Sequence, residues 1–66
     1  MRTVSFQNHL QELRRQRGLS QRELARMAGL PHPVISYIET GGRIPTFPTM
    51  KRIASALEVE VSDIFS

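Results

Sequence analysis

The stretch QRELARMAGLPHPVISYIE, residues 21–39, reads as two short helices joined by a turn and crossing at close range. Ser20 opens the first helix. Its hydroxyl can accept an orphan backbone N–H, and Glu23, three residues on, can reach back to the Ser20 amide, completing an S-x-x-E capping box. Leu24 and Ala28 stand four apart on one face, and Ala25 beside them is small enough for a second helix to approach closely. Gly29 ends the helix, because the residue just past a helix terminus commonly takes a left-handed conformation that glycine adopts without a Cβ penalty. Pro31 disfavours helix in the residue before it, yet a first turn tolerates proline because its N–H groups are unpaired. The second helix therefore runs from about His32 to Thr40.

Toward the N-terminus, Phe6, Leu10 and Leu13 recur at spacings of four and three, which predicts a helix from Phe6. Gln7, Asn8, Gln11, Glu12 and Arg15 fall outside its apolar stripe, and Gly18 is its stop. Met1 to Ser5 reads as a short arm, with Thr3 or Ser5 as candidate caps. Leu19, just before the Ser20 cap, is placed to staple onto Leu24. On the other side, Thr46 is the expected cap of a further helix that takes Pro48 in its first turn. Its stripe is Met50, Ile53, Ala54 and Leu57. Ser62 is read as the cap of a last short helix over residues 63–66, with Ile64 and Phe65 turned inward. Phe47 has two readings, a plug at the core edge or an exposed contact for a partner. Val59 and Val61 are partner-contact candidates.

Sixty-six residues allow one domain with a small core. Without cysteine, neither a disulfide framework nor a thiolate metal site is available, and helix packing must suffice. No run approaches the roughly 18 apolar residues of a membrane span, and the N-terminus lacks the apolar core of a signal peptide, so a soluble, cytoplasmic chain is expected. Residues 1–52 hold all nine basic residues against Glu12, Glu23 and Glu39, a net +6, whereas residues 53–66 carry three acids and no base. Such asymmetry suggests a basic face for a polyanion; plain surface solubility is the alternative. Catalysis finds no support. His9 and His32 are the only histidines and lack the i, i+3 or i+4 pairing of helical metal sites. Gly41 and Gly42 follow a helix instead of preceding one, so they form no phosphate loop, and no carboxylates are paired. No metal, cofactor or enzyme activity is expected, and neither internal repeats nor low-complexity segments occur.

GLSQRELA at 18–25, the Ala25 and Gly29 pair, Ile35 and Ile38, and the closing Glu39 together resemble the helix-turn-helix of the phage-repressor and Cro-like (Xre-type) bacterial regulators. LRRQRG at 13–18 and RIASALEVEVSDIF at 52–65 resemble the family's flanking helices, so the likeness covers about sixty residues. It implies an all-α fold: a compact five-helix DNA-binding domain over residues 1–66, with the motif at about 20–40. It also implies a sequence-specific transcriptional regulator of double-stranded DNA, a dimeric repressor whose third helix enters the major groove. An antitoxin or restriction-modification control protein of the same fold is the alternative within DNA binding. A protein-interaction or targeting module is the alternative outside it.

The resemblance also assigns roles to residues. Arg14 is expected to pair with Glu39, fixing the angle between their helices more than adding stability. Ser20 and Gln21 lie at a helix N-terminus, where N–H groups and the dipole favour an anion, and the family's glutamine here touches the DNA backbone. Arg22 beside them is a further phosphate candidate, and Arg43, in the basic loop after Gly41 and Gly42, is a phosphate or minor-groove candidate. Arg26 is read as facing solvent, and Arg15 and Arg17 as a basic helix end or further contacts. With Ile35 and Ile38 inward, about 100° per residue puts Pro33, Ser36, Tyr37 and Thr40 on the opposite side, with His32 at its edge. His32 can donate to guanine, Ser36 can pair with several base edges, and Tyr37 can donate to a base or phosphate. The other reading makes His32 a polar residue at the helix start and lays Tyr37 over the scaffold. Three departures from the family pattern stand out: Pro31 in place of a Ser or Thr cap, His32 and Pro33 in place of long polar side chains, and Glu58 in place of a helix-ending glycine. No Arg, Asn or Gln lies between His32 and Glu39.

Overall fold

Five helices and no strand form the part of the chain, residues 7–65, that the computed structural model describes. They are α1 (Leu10–Gln16), α2 (Gln21–Ala28), α3 (His32–Glu39), α4 (Phe47–Leu57) and α5 (Val61–Phe65). α2 packs against both α3 and α4, and α5 closes against α1 and α4. Leu10, Leu24, Ile35, Ile38, Ile53, Leu57 and Ile64 are fully buried, one or two from each helix, so every apolar stripe meets at one centre. Leu13, Leu19, Val59, Val61 and Phe65 are partly buried against it. Leu19 thus sits where the staple requires, and Val59 and Val61 lean on the core with part of their surface still open.

α1 begins four residues later than the periodicity suggests, and Phe6, Thr3 and Ser5 lie outside the described residues. Tertiary contacts set the start. Asn8 Oδ1 accepts from the Leu10 N–H at 3.0 Å while its Nδ2 donates to the Ile38 carbonyl at 2.8 Å, and the His9 N–H donates to the Ile64 carbonyl at 2.8 Å. Asn8 is therefore half-buried and structural, a correction to its assignment outside the stripe. α5 likewise begins earlier than expected, at Val61, and Ser62 is not its cap; Asp63 Oδ2 instead accepts from the Glu60 N–H at 2.9 Å. Ser66 lies outside the described residues. Thr46 occupies the position before α4, but its hydroxyl donates to Thr49 Oγ1 at 3.1 Å and caps no backbone group. Phe47 is exposed, with Lys51 Nζ 5.8 Å from its ring centre, and Met50 is only half-buried.

α2 carries the full capping box: the Glu23 N–H donates to Ser20 Oγ at 2.9 Å, and the Ser20 N–H donates to Glu23 Oε1 at 2.8 Å. First that backbone N–H, then the Ser20 hydroxyl, holds the Glu23 carboxyl below its usual value. A lowered folded value means that the linked stability is present above the unfolded carboxylate pKa and is lost as pH falls through the folded one. Ser20→Ala is expected to cost about 1 kcal/mol in urea unfolding at neutral pH, as helix caps do. It should also return the Glu23 titration, followed by NMR, toward the ordinary carboxylate range.

α1, α2, α3 and α4 end in the same way, with a left-handed residue and paired backbone bonds back into the last turn. Glycine fills that position at 18, 29 and 41, but α4 uses Glu58 at φ +58°. A left-handed side-chain-bearing residue costs about 1–2 kcal/mol, and glycine's extra unfolded-state freedom returns about 0.5–1 kcal/mol of that. The exposed 3.5 Å contact of Glu58 with Arg17 adds little. Glu58→Gly should therefore stabilise the fold by about 0.5–1 kcal/mol, raising the melting temperature by roughly 2–8 °C; an unchanged or lower value would show that the turn carries no strain.

Candidate nucleic-acid interface

α2 packs directly against α3, and the N-terminus of α2 meets the end of α3, from which the loop after it departs. Ala25 and Ala28, both buried, permit that crossing, and Gly29 at φ +70° turns the chain so that α3 starts within three residues. Pro31 occupies the cap position of α3 in an extended conformation and offers no side-chain cap, while Pro33 sits in the first turn, where no intrahelical N–H is needed. α3 is held from below by Ile35 and Ile38.

On the opposite face of α3, His32, Pro33, Tyr37 and Thr40 are exposed, Tyr37 by 55 %, and Ser36 is half-buried. The Tyr37 ring therefore does not lie buried over the scaffold. Thr40 Oγ1 donates its hydrogen to the Tyr37 carbonyl at 3.1 Å, which leaves its oxygen free only to accept. Arg22 and Arg43 are exposed, and Gly41 and Gly42 bond back into α3 through the Ile38 and Tyr37 carbonyls, fixing where the basic loop departs. Arg26, on the later turn of α2, is exposed as well.

Arg14 and Glu39 meet beneath this surface. Arg14 Nε donates to Glu39 Oε2 at 2.6 Å and Nη2 to Oε1 at 3.3 Å, while Nη1 donates to the Leu19 carbonyl at 2.6 Å. Both side chains are nearly sealed from water, at 9 % and 2 % exposure. One guanidinium thus ties α1 to the α1–α2 turn and to the end of α3. Gln21 joins the same group: its Nε2 donates to Glu39 Oε1 at 2.9 Å. The sequence reading placed Gln21 at the DNA and Glu39 in a pair with Arg14, but did not connect them. Nothing local signals a bond across 18 residues. Among the described residues no group of three or more His, Cys, Asp or Glu could hold a metal, and no helix is long and apolar enough to cross a membrane.

The helix-turn-helix family model HTH_3 matches residues 10–64. The chain belongs to that family. This HTH_3 domain is 39 % identical over 57 residues to the HTH-type transcriptional regulator PuuR of Escherichia coli, an alignment covering 86 % of this chain and 31 % of PuuR. The chain thus spans about a third of the length of that curated relative. Among solved structures it resembles the restriction-modification controller protein C.AhdI of Aeromonas hydrophila, with 34 % identity, a TM-score of 0.81 and 83 % of each chain covered. It also resembles SinR, the master regulator for biofilm formation, in complex with DNA, with 27 % identity, a TM-score of 0.78 and 82 % of this chain and 87 % of SinR covered.

Proposed function

We propose that this HTH_3 chain is a sequence-specific DNA-binding transcriptional regulator that works in the cytoplasm as a homodimer and represses by covering a promoter. The observation that carries the reading is the anchoring of α3: Ile35 and Ile38 are wholly buried, while His32, Pro33 and Tyr37 on its other face are open to a partner. The neighbouring N-terminus of α2 presents Ser20, Gln21 and Arg22 to phosphate, with Arg43 beyond the end of α3. The likenesses to PuuR and to DNA-bound SinR support the same direction. Two-fold related copies would place two α3 helices one turn of DNA apart, enlarging a footprint that a single 66-residue domain leaves small.

A second reading, control of a restriction-modification system, draws on the likeness to C.AhdI, at 34 % identity and a TM-score of 0.81. The genes adjacent to this one separate the two. Selection of bound duplex from a random pool tests the common claim, with the winner and a scrambled duplex then titrated at two salt concentrations. A palindromic winner bound at least about a hundredfold more tightly than the scramble is expected. Absent or equal binding would turn the assignment to a protein-interaction module.

A further inference from the structure

We propose that Glu39 is a positioning residue for DNA binding: it fixes the amide of Gln21 so that the second Nε2 hydrogen is the side-chain donor offered to a DNA phosphate. The inference rests on the DNA-binding reading above. An ionised carboxylate can only accept hydrogen bonds, so the amide end facing Glu39 Oε1 at 2.9 Å must be the NH2 end and not the carbonyl. One of the two Nε2 hydrogens is thereby used. A phosphate diester also only accepts, and the remaining hydrogen is the sole side-chain donor Gln21 has left.

Arg14 makes this arrangement compatible with a polyanion. A bare carboxylate beneath the phosphate path would repel DNA, but Glu39 is buried and takes two hydrogen bonds from the Arg14 guanidinium, which cancels its charge. The Arg14 pairing needs neither Gln21 nor the second bond on Oε1 to hold α1 against α3. That extra bond restricts a long, flexible side chain before DNA arrives, lowering the ordering cost of the contact.

The test is a cycle on the duplex selected from the random pool. Gln21→Ala is expected to weaken binding about tenfold in the native chain. In the Arg14→Met, Glu39→Leu double variant, whose apolar replacement of a buried pair is of a kind often tolerated, the same Gln21→Ala change should cost less than about threefold. An equal factor in both backgrounds overturns the inference while leaving DNA binding intact; no binding by the native chain overturns both. Should the double variant not fold, the native chain labelled with nitrogen-15 decides. One Gln21 Nε2 proton should exchange slowly without DNA, and the other should shift when duplex is added. Two equivalent, rapidly exchanging protons, or no shift in a complex formed by other criteria, would overturn the positioning role.

Discussion

Arg14→Ala is expected to lower folding stability by about 3–5 kcal/mol, the cost of leaving one member of a buried ion pair without its partner. Glu39 would keep only the Gln21 amide, and its carboxylate is 2 % exposed, so water cannot replace the guanidinium. The Leu19 carbonyl would lose its donor too. A chain of this size commands only about 3–10 kcal/mol in total, so the variant should be largely unfolded at room temperature or melt far below the native chain. Circular dichroism during urea and thermal unfolding reads this directly. Arg14→Lys should recover only part of the loss, because a single ammonium cannot bond both carboxylate oxygens and the Leu19 carbonyl in the observed fork. Replacing Arg14 and Glu39 together by apolar residues should be far milder than Arg14→Ala, since no buried charge is left alone. The pair's value would then lie in orientation: the double variant should fold yet bind DNA less well. Native stability in Arg14→Ala would refute the account.

Features decided by near neighbours in the chain were legible from the sequence. The Ser20 and Glu23 box, the glycine stop at 29 and the inward pair Ile35 and Ile38 all depend on residues within one helix turn of each other, and all are present. The start of α1 was not legible, because Asn8 is held by the Ile38 carbonyl, thirty residues away, and no periodicity encodes that. α5 was misjudged although its opening is local, because two neighbouring residues, Ser62 and Asp63, both offered a cap. Asp63, inside the helix, returns to the Glu60 N–H, so the helix opens at Val61 and Ser62 lies within it. Phe47 shows the limit of hydrophobicity as a guide: seven leucine and isoleucine side chains already fill the centre, and the ring lies outside near Lys51. In the candidate site, the outward face of α3 followed from helical angle alone. The bond from Gln21 to Glu39 required the crossing of α2 and α3 to be known first.

Arg43→Ala and Gln21→Ala should weaken binding to every duplex, while His32→Ala and Tyr37→Ala should change which base pairs are preferred. The distinction comes from what each group can touch. Arg43 is an exposed cation in the loop that leaves α3, so its loss should reduce affinity uniformly and lower the log-log salt slope by about one, the counterions of one phosphate contact. Gln21 is neutral and releases no counterion; its removal should cost about tenfold without altering that slope. His32 and Tyr37 stand on the open face of α3, away from Ile35 and Ile38, where base edges would lie. Neither forms the bidentate pairs that Arg, Asn or Gln would, and none of those residues occurs on α3. Each should therefore contribute about 1 kcal/mol, roughly fivefold, confined to one or two positions of the selected sequence. Titrating all four variants against the selected duplex and its single-base-pair substitutions separates the classes. If all four lose the same factor on every duplex, α3 does not read bases through these side chains, and whatever specificity exists must come from DNA shape and the basic loop.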